Sequence, residues 1–336
     1  MKEWVVVFWD VGQGDATSIR LPDGSYILID LGPTLKTGNP LPGWFSRMGH
    51  PVIRMAITTH SHVDHFGGLI SLCRETSQQI DEIVVLKDLA FRQSSVLRTS
   101  DFEAFLQALK FRRDTGRTKL SAIDEAQVLY RANGLQLRVI HPLDLKCERN
   151  LSADLNKTSM VILLEKSDSL EESPLIIFGG DAPLAALKAT SENTHPAILT
   201  GPHHGHPQGL GKCKTPKYWR FFKDSLHPEN IFISVGRNNG YKLPDANYIK
   251  GAACCGVCVN CSQLSVKCDS ERKKDVFEGS AFCGVDKPVG SVQCRGAMRV
   301  YVSTEGVRFD EDQQDFRHKI ETIYPHAPCK CESLRC

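Results

Sequence analysis

No apolar run in the 336-residue chain approaches the ~18 residues that a membrane-crossing helix needs. Neither sign of charge dominates: 41 Lys and Arg stand against 39 Asp and Glu, a formal net charge of +2. A protein that grips duplex nucleic acid by bulk charge is therefore not expected, although a local basic groove is compatible with such a balance. The stretch MKEWVVVFWDVGQGD carries one lysine and a short β-branched run. It lacks a signal peptide's longer apolar core and small-residue cleavage site. These absences predict a soluble, cytoplasmic protein. Cysteine is scarce before residue 250, where only Cys73, Cys147 and Cys213 occur, so no disulfide framework is expected there. A chain of this length buries enough surface to fold without staples.

What is present over residues 1–250 is an alternation of short apolar runs and helical patterns. WVVVFW (4–9), SYILID (25–30), VIRMAIT (52–58), EIVVL (82–86), LQLRVI (135–140), SMVILLE (159–165), PLIIF (174–178), PAILT (196–200) and NIFISV (230–235) read as strands. SDFEAFLQALKFRR reads as a helix: Ser100 and Glu103 fit a capping box, and Phe102, Phe105, Leu106 and Leu109 form an apolar stripe. Strands mixed with helices over this length indicate a layered α/β domain. The pattern changes near residue 251. Ten of the 13 cysteines fall in the last 86 positions, with few periodic apolar residues among them. The simplest division is a layered α/β domain over 1–250, a cysteine-rich insert over 251–294, a returning hairpin over 295–310 (turning at Glu305-Gly306) and a tail over 311–336.

In the segment TTHSHVDHFGGL (58–69), His60, His62, Asp64 and His65 follow a strand end within six positions. Imidazole and carboxylate are good donors for zinc, manganese or iron. His60 and His62 suit one ion, Asp64 and His65 a second. Gly67 and Gly68 then let the backbone pass close to the site and open a helix.

HSHVDH after an apolar strand resembles the metal-binding motif of the metallo-β-lactamase fold superfamily, which implies an αββα sandwich. LIIFGGDA (175–182) is similar to that superfamily's strand-Gly-Asp step, whose aspartate bridges two metals, here Asp181. ILTGPHHGH (198–206) resembles the late histidine motif that completes the second site. Of its adjacent pair, His203 is the expected ligand and His204 the expected donor to substrate or leaving group, an order the sequence does not fix. ILIDLG (27–32) resembles the early strand whose Asp30 braces the metal loop. FWDVGQGDATSIRLPDGSYILIDLG (8–32), NKTSMVILL (156–164), PHHGH (202–206) and ISVGRNNGYKLPDANYI (233–249) together resemble the hydrolase domain of the DNA-uptake competence protein ComEC, without its membrane channel.

That resemblance implies two divalent cations, zinc or manganese, and a phosphodiesterase or nuclease acting on DNA, RNA or nucleotides through a metal-bridged hydroxide oriented by Asp64. No Ser-His-Asp or Cys-His nucleophile competes. The alternatives are hydrolysis of a small non-nucleic ester, or a weakly catalytic binding protein using the cysteine-rich module for partner contacts. Many superfamily members supply a further histidine in the region of SADLNKTSMVILL, which has none here; Asn156 and Ser159 fit what the ComEC-like branch shows there and are expected to meet substrate. DVGQGD offers Asp10, Gln13 and Asp15 either as a loop beside the metals or as a hairpin turn. GRNNGY offers Arg237 and Asn238 either to a phosphodiester or as an ordinary polar turn. Clustered cysteines in a reducing compartment suggest structural zinc, with Cys255, Cys258, Cys261, Cys268, Cys283 and Cys294 as candidate ligands.

Overall fold

The computed structural model describes residues 2–87, 99–144, 155–168, 173–183, 186–187, 194–206, 221–269, 271, 274–277, 287–288, 291–324 and 327–329. Cys283, expected among the zinc ligands, lies outside the described residues, as do Cys147 and Cys213.

Two mixed sheets stack face to face. The first contains β1 (Trp4–Phe8), β2 (Ala16–Arg20), β3 (Tyr26–Leu31), β4 (Ile53–Ile57), β5 (Ile80–Leu86) and β6 (Lys119–Ile123). It is closed on its other side by the C-terminal hairpin β14 (Met298–Ser303) and β15 (Gly306–Phe309), in the order β15-β14-β1-β2-β3-β4-β5-β6. The second contains β7 (Glu125–Ala132), β8 (Leu135–Asp144), β9 (Val161–Lys166), β10 (Ile176–Phe178), β11 (Ile198–Thr200), β12 (Asn230–Ile233) and β13 (Cys258–Cys261), in the order β13-β12-β11-β10-β9-β8-β7. Among the described residues, the helices are α1 (Leu41–Arg47), α2 (Val63–Arg74), α3 (Ser100–Asp114), α4 (Ala246–Cys254) and α5 (Asp312–Ile323).

Period-two alternation explains the layering. Trp4, Val6 and Phe8 of β1 join Leu135, Leu137, Ile162, Ile176 and Phe232 in the core between the sheets. Val7 faces the other way, with Phe66, Phe102 and Phe105 under the helices of the first sheet. The second sheet has its own outer core, where Val161, Leu199 and Ile231 meet Tyr248 of α4 and Phe316 of α5. The result is four layers, helix–sheet–sheet–helix.

Most expected strands and the terminal hairpin are found, with ends moved by one to four residues. Three differences have physical reasons. Strands β6 and β7 are largely exposed and polar, so they carry little apolar signal. The cap of α3 is Thr99, one residue before the expected Ser100; its hydroxyl accepts from Phe102 N at 3.2 Å. Finally, α2 begins at Val63, so Gly67 and Gly68 lie within it rather than opening it. A Cβ on Gly68 would collide with Leu31 O, and one on Gly67 with Thr34 N. The pair lets α2 press against the turn that follows β3, which carries Asp30 to the site.

Candidate metal centre

Strands β3, β4, β10, β11 and β12 deliver the site. Pairs β3–β4, β10–β11 and β11–β12 are parallel, and the functional side chains sit at or just past the carboxyl ends of these strands, where open α/β sheets place ligands. Asp30, near the end of β3, adopts φ 54°, a left-handed conformation in which Asp is enriched among non-glycine residues. Its Oδ1 accepts from Thr59 N at 2.8 Å; its Oδ2 accepts from Thr59 Oγ1 at 2.7 Å and faces His65 Nδ1 at 2.8 Å. Asp30 therefore braces the loop after β4.

With Nδ1 of His65 held by Asp30, its Nε2 is the atom turned to the site. Nε2 lies 3.2 Å from Asp181 Oδ1. His60 is held similarly, its Nδ1 beside Thr59 Oγ1 at 3.2 Å and Ser159 Oγ at 3.4 Å, leaving Nε2 3.5 Å from Asp181 Oδ2 and 3.0 Å from His62 Nδ1. His204 is fixed by Ser234 O, 2.8 Å from its Nδ1, and presents Nε2 to Asp64 Oδ2 at 3.3 Å and Asp181 Oδ1 at 3.8 Å. His203 Nε2 is 3.6 Å from Asp181 Oδ2. The two oxygens of Asp181 thus divide the imidazoles: Oδ2 faces His60 and His203, Oδ1 faces His65 and His204. Adjacent histidines reach different oxygens because both adopt positive φ, 49° and 53°.

The donor set fits divalent cations. His60, His65 and Asp181 bring ligand atoms within 4.8 Å of one another, as do Asp64, His65 and His204. Buried Asp181 Oδ1, His65 Nε2 and His204 Nε2 make no hydrogen bond, although each points into this common space. Orienting partners behind each imidazole are the usual outer shell of a metal site.

Charges are tightly balanced. Burial alone would push His65 down, but Asp181 and Asp30 hold it well above the ordinary imidazole value. Burial likewise opposes, and Asp181 and Asp15 outweigh, at His204, which is also raised. Asp181 is held well below the carboxylate range; burial would raise it, but His65, His204 and His60 prevail. Burial pushes His62 down to about 4, with His60 and His65 adding to the effect. Asp181 is thus held ionised and His62 neutral, the forms that bind cations, whereas His65 and His204 favour protons that a cation would displace.

The DVGQGD segment is seated on the metal loop. Asp15 N donates to Asp64 O at 3.1 Å, and a Cβ on Gly14 (φ 137°) would collide with that same carbonyl. Asp15 Oδ1 is 3.5 Å from His204 Nδ1, and its carboxylate groups with Asp181 and His204 within 4.8 Å. Asp10 lies farther back, accepting from Gly12 N and from Gln263 Nε2 at 2.9 Å.

A cavity of about 380 Å³ opens over the site, lined by Gln13, His62, Asp64, Asn156, His203 and Tyr241 among others. Asn156 thus reaches the cavity. Ser159 sits beneath it, fully buried, its hydroxyl accepting from Asp181 N at 3.0 Å; it positions the aspartate. Arg237 is buried and is not brought to the cavity: its guanidinium donates to Leu264 O and Asp269 O, both at 2.7 Å. The sequence reading passed over Thr59, which directly precedes the motif, and Tyr241, which is 77% exposed at the cavity and sits in the GRNNGY segment.

Residues 9–117 match the family model described as Metallo-beta-lactamase superfamily. No curated protein matches the chain. Similar solved structures include Igni18, described as a novel metallo hydrolase from the hyperthermophilic archaeon Ignicoccus hospitalis KIN4/I, 16% identical over 78% of this chain and 95% of that one, with a TM-score of 0.45. Zn²⁺-bound PqqB from Methylobacterium extorquens is 13% identical over 77% and 98%, with a TM-score of 0.47. A metallo-β-lactamase from Pontibacter korlensis is 15% identical over 56% and 79%, with a TM-score of 0.29. The four-layer mixed sandwich is that of the metallo-β-lactamase fold, and the superfamily match supports a metal-dependent hydrolase. Among the described residues no helix is long and apolar enough to cross a membrane.

Proposed function

We propose that this metallo-β-lactamase-fold chain is a dinuclear metal-dependent phosphodiesterase acting on nucleic acid or nucleotides. The observation that carries the dinuclear reading is that Asp181 turns Oδ2 toward His60 and Oδ1 toward His65 and His204. His60, His62 and Asp181 would hold one cation; Asp64, His65, His204 and Asp181 would hold the other. Bound divalent cations, zinc or manganese, would supply Lewis acidity, lowering the pKa of water and taking up negative charge at the reacting centre.

The chain's own groups do the rest. Asp64 faces the cavity, where it orients the attacking water. His204 is almost wholly buried and fixed through Nδ1, which suits a ligand. His203 is the more open of the pair, 19% exposed in its side chain, and lines the cavity, which suits a donor to the leaving oxygen. This reverses the order expected from sequence. Asn156 and Gln13 offer amides to a phosphoryl oxygen.

The phosphodiester preference rests on the ComEC-like motifs and on Tyr241. An exposed aromatic beside a metal site can stack a base, worth roughly 1–3 kcal/mol by alanine substitution. Tyr241→Ala is expected to raise KM for single-stranded DNA or RNA about tenfold or more while leaving bis-p-nitrophenyl phosphate unaffected. Equal effects on both substrates would refute a stacking role.

The deciding experiment incubates purified protein with Mn²⁺, Zn²⁺ or Mg²⁺ and single-stranded DNA, duplex DNA, RNA, bis-p-nitrophenyl phosphate or the carboxylic ester p-nitrophenyl acetate. His203→Gln should keep its metal and lose kcat, whereas His204→Gln should lose metal. Wild type no more active than His62→Ala on every substrate would end the enzyme reading and leave a binding protein. Cleavage of carboxylic esters alone would replace the phosphodiester by a small non-nucleic ester.

A further inference from the structure

Among the described residues, every group of three or more potential metal ligands lies at the candidate centre, and none contains a cysteine. Cys255, Cys258, Cys261, Cys268 and Cys294 therefore do not by themselves form the zinc cluster expected of them. Two of the groups at the centre contain Asp15 of the DVGQGD segment, once with Asp181 and His204 and once with Asp30 and His65.

The backbone at Asp15 is tied to three segments that carry or hold ligands. Asp15 N donates to Asp64 O at 3.1 Å, Asp15 O accepts from Gly32 N at 2.7 Å, and Gly14 O accepts from Ser234 Oγ at 2.5 Å. Ser234 is also the residue whose carbonyl lies 2.8 Å from His204 Nδ1. A carbonyl can only accept, so Nδ1 carries a proton and Nε2 is the nitrogen left for a cation. Asp15 Oδ1, 3.5 Å from the same Nδ1, sets a carboxylate behind the ring. His65 is arranged alike, with Asp30 Oδ2 2.8 Å behind its Nδ1 and its Nε2 turned to Asp181 Oδ1.

Both imidazoles on the Oδ1 side of Asp181 thus have a carboxylate at their backs, and Asp64 adds another at the front. The Oδ2 side is built differently. Behind His60 stand the hydroxyls of Thr59 at 3.2 Å and Ser159 at 3.4 Å. Among the described residues, His62 has no hydrogen-bonding partner but His60. A carboxylate behind a ligating imidazole fixes its tautomer and makes the opposite nitrogen a better donor than a neutral hydroxyl does.

We propose that Asp15 is a positioning residue acting through His204, and that with Asp30 it makes the Asp64–His65–His204 position the tighter of two cation positions. The His60–His62 position then fills only as free metal rises. This inference rests on the dinuclear reading above.

The test titrates metal-free, full-length protein with Mn²⁺ by calorimetry. Wild type should show two binding events of unequal affinity, and His62→Ala should lose the weaker and keep the tighter. Asp15→Asn, which keeps the size and removes the charge, should weaken the tighter event by about 10–100-fold, read on its own in the His62→Ala background. The melting temperature of the metal-free protein should not change, as it would if Asp15 only held the fold together. Two events with Asp15→Asn at wild-type affinity would overturn this inference and leave the dinuclear reading standing. Wild type that binds one cation or none would overturn both. Should Asp15→Asn fail to fold, His62→Ala decides: loss of the tighter event in that variant reverses the order and sinks the proposal.

Discussion

Asp181→Ala should empty both halves of the candidate hydrolytic centre in one step. The reason is geometric: Asp181 Oδ2 faces His60 and His203, and Oδ1 faces His65 and His204, so its two oxygens stand between both groups. Loss of several kcal/mol of charge stabilisation corresponds to a fall in diester hydrolysis on the order of 10³-fold or more. Asp30→Asn makes the instructive comparison. Asp30 orients His65 and Thr59 from behind the site, and removal of such a partner costs about 10–100-fold in metal affinity or activity. Metal-to-protein ratios by mass spectrometry, with hydrolysis rates for both variants, check the order. An Asp181→Ala protein that retained its full metal content would remove the bridging role.

Asp10→Asn should stabilise the protein above pH 6 and do nothing below about pH 4. Burial pushes the Asp10 carboxyl up to about 6; its hydrogen bonds from Gln263, Gly12 and Gln293 oppose that only in part. The folded state therefore binds this proton more tightly than the unfolded chain, whose aspartate titrates near the ordinary value. Stability is full below the unfolded pKa, falls as pH rises through about 6, and stays lowered beyond it. The shift corresponds to at most about 3 kcal/mol. Asparagine retains an oxygen for Gly12 N and Gln263 Nε2 without the buried charge. Thermal unfolding of both proteins at pH 4, 6 and 8 measures the gap. A gap that is constant across that range would show that packing, not ionisation, sets the difference.

The centre was legible where chemistry is written locally. His60, His62, Asp64 and His65 lie on one short segment, and the strands around them alternate clearly. Asp30, Asp181 and the two late histidines could be placed only through resemblance, since nothing local says that strands 150 residues apart end at one point. The roles within His203-His204 depend on two left-handed backbone conformations, which a sequence does not display. Ser159 and Arg237 read as substrate groups because polar residues near a motif look available; burial turns one toward Asp181 N and the other toward two carbonyls. Strand β13 was hidden because CVNC carries cysteines where a strand's apolar residues would stand, and only its pairing with β12 gives it away.

Strand β1 has β14 on one side and β2 on the other, with Val6 opposite Val300 and Phe8 opposite Met298. During synthesis the ribosome releases β1 long before its later neighbour. Until about residue 303 has emerged, Trp4, Val6 and Phe8 sit on a strand with one unpaired, adhesive edge, the kind of template on which chains associate wrongly. Completion of the first sheet thus waits on the terminal hairpin, and translation halted before it should yield a product held by chaperones or lost to aggregation rather than a smaller folded protein.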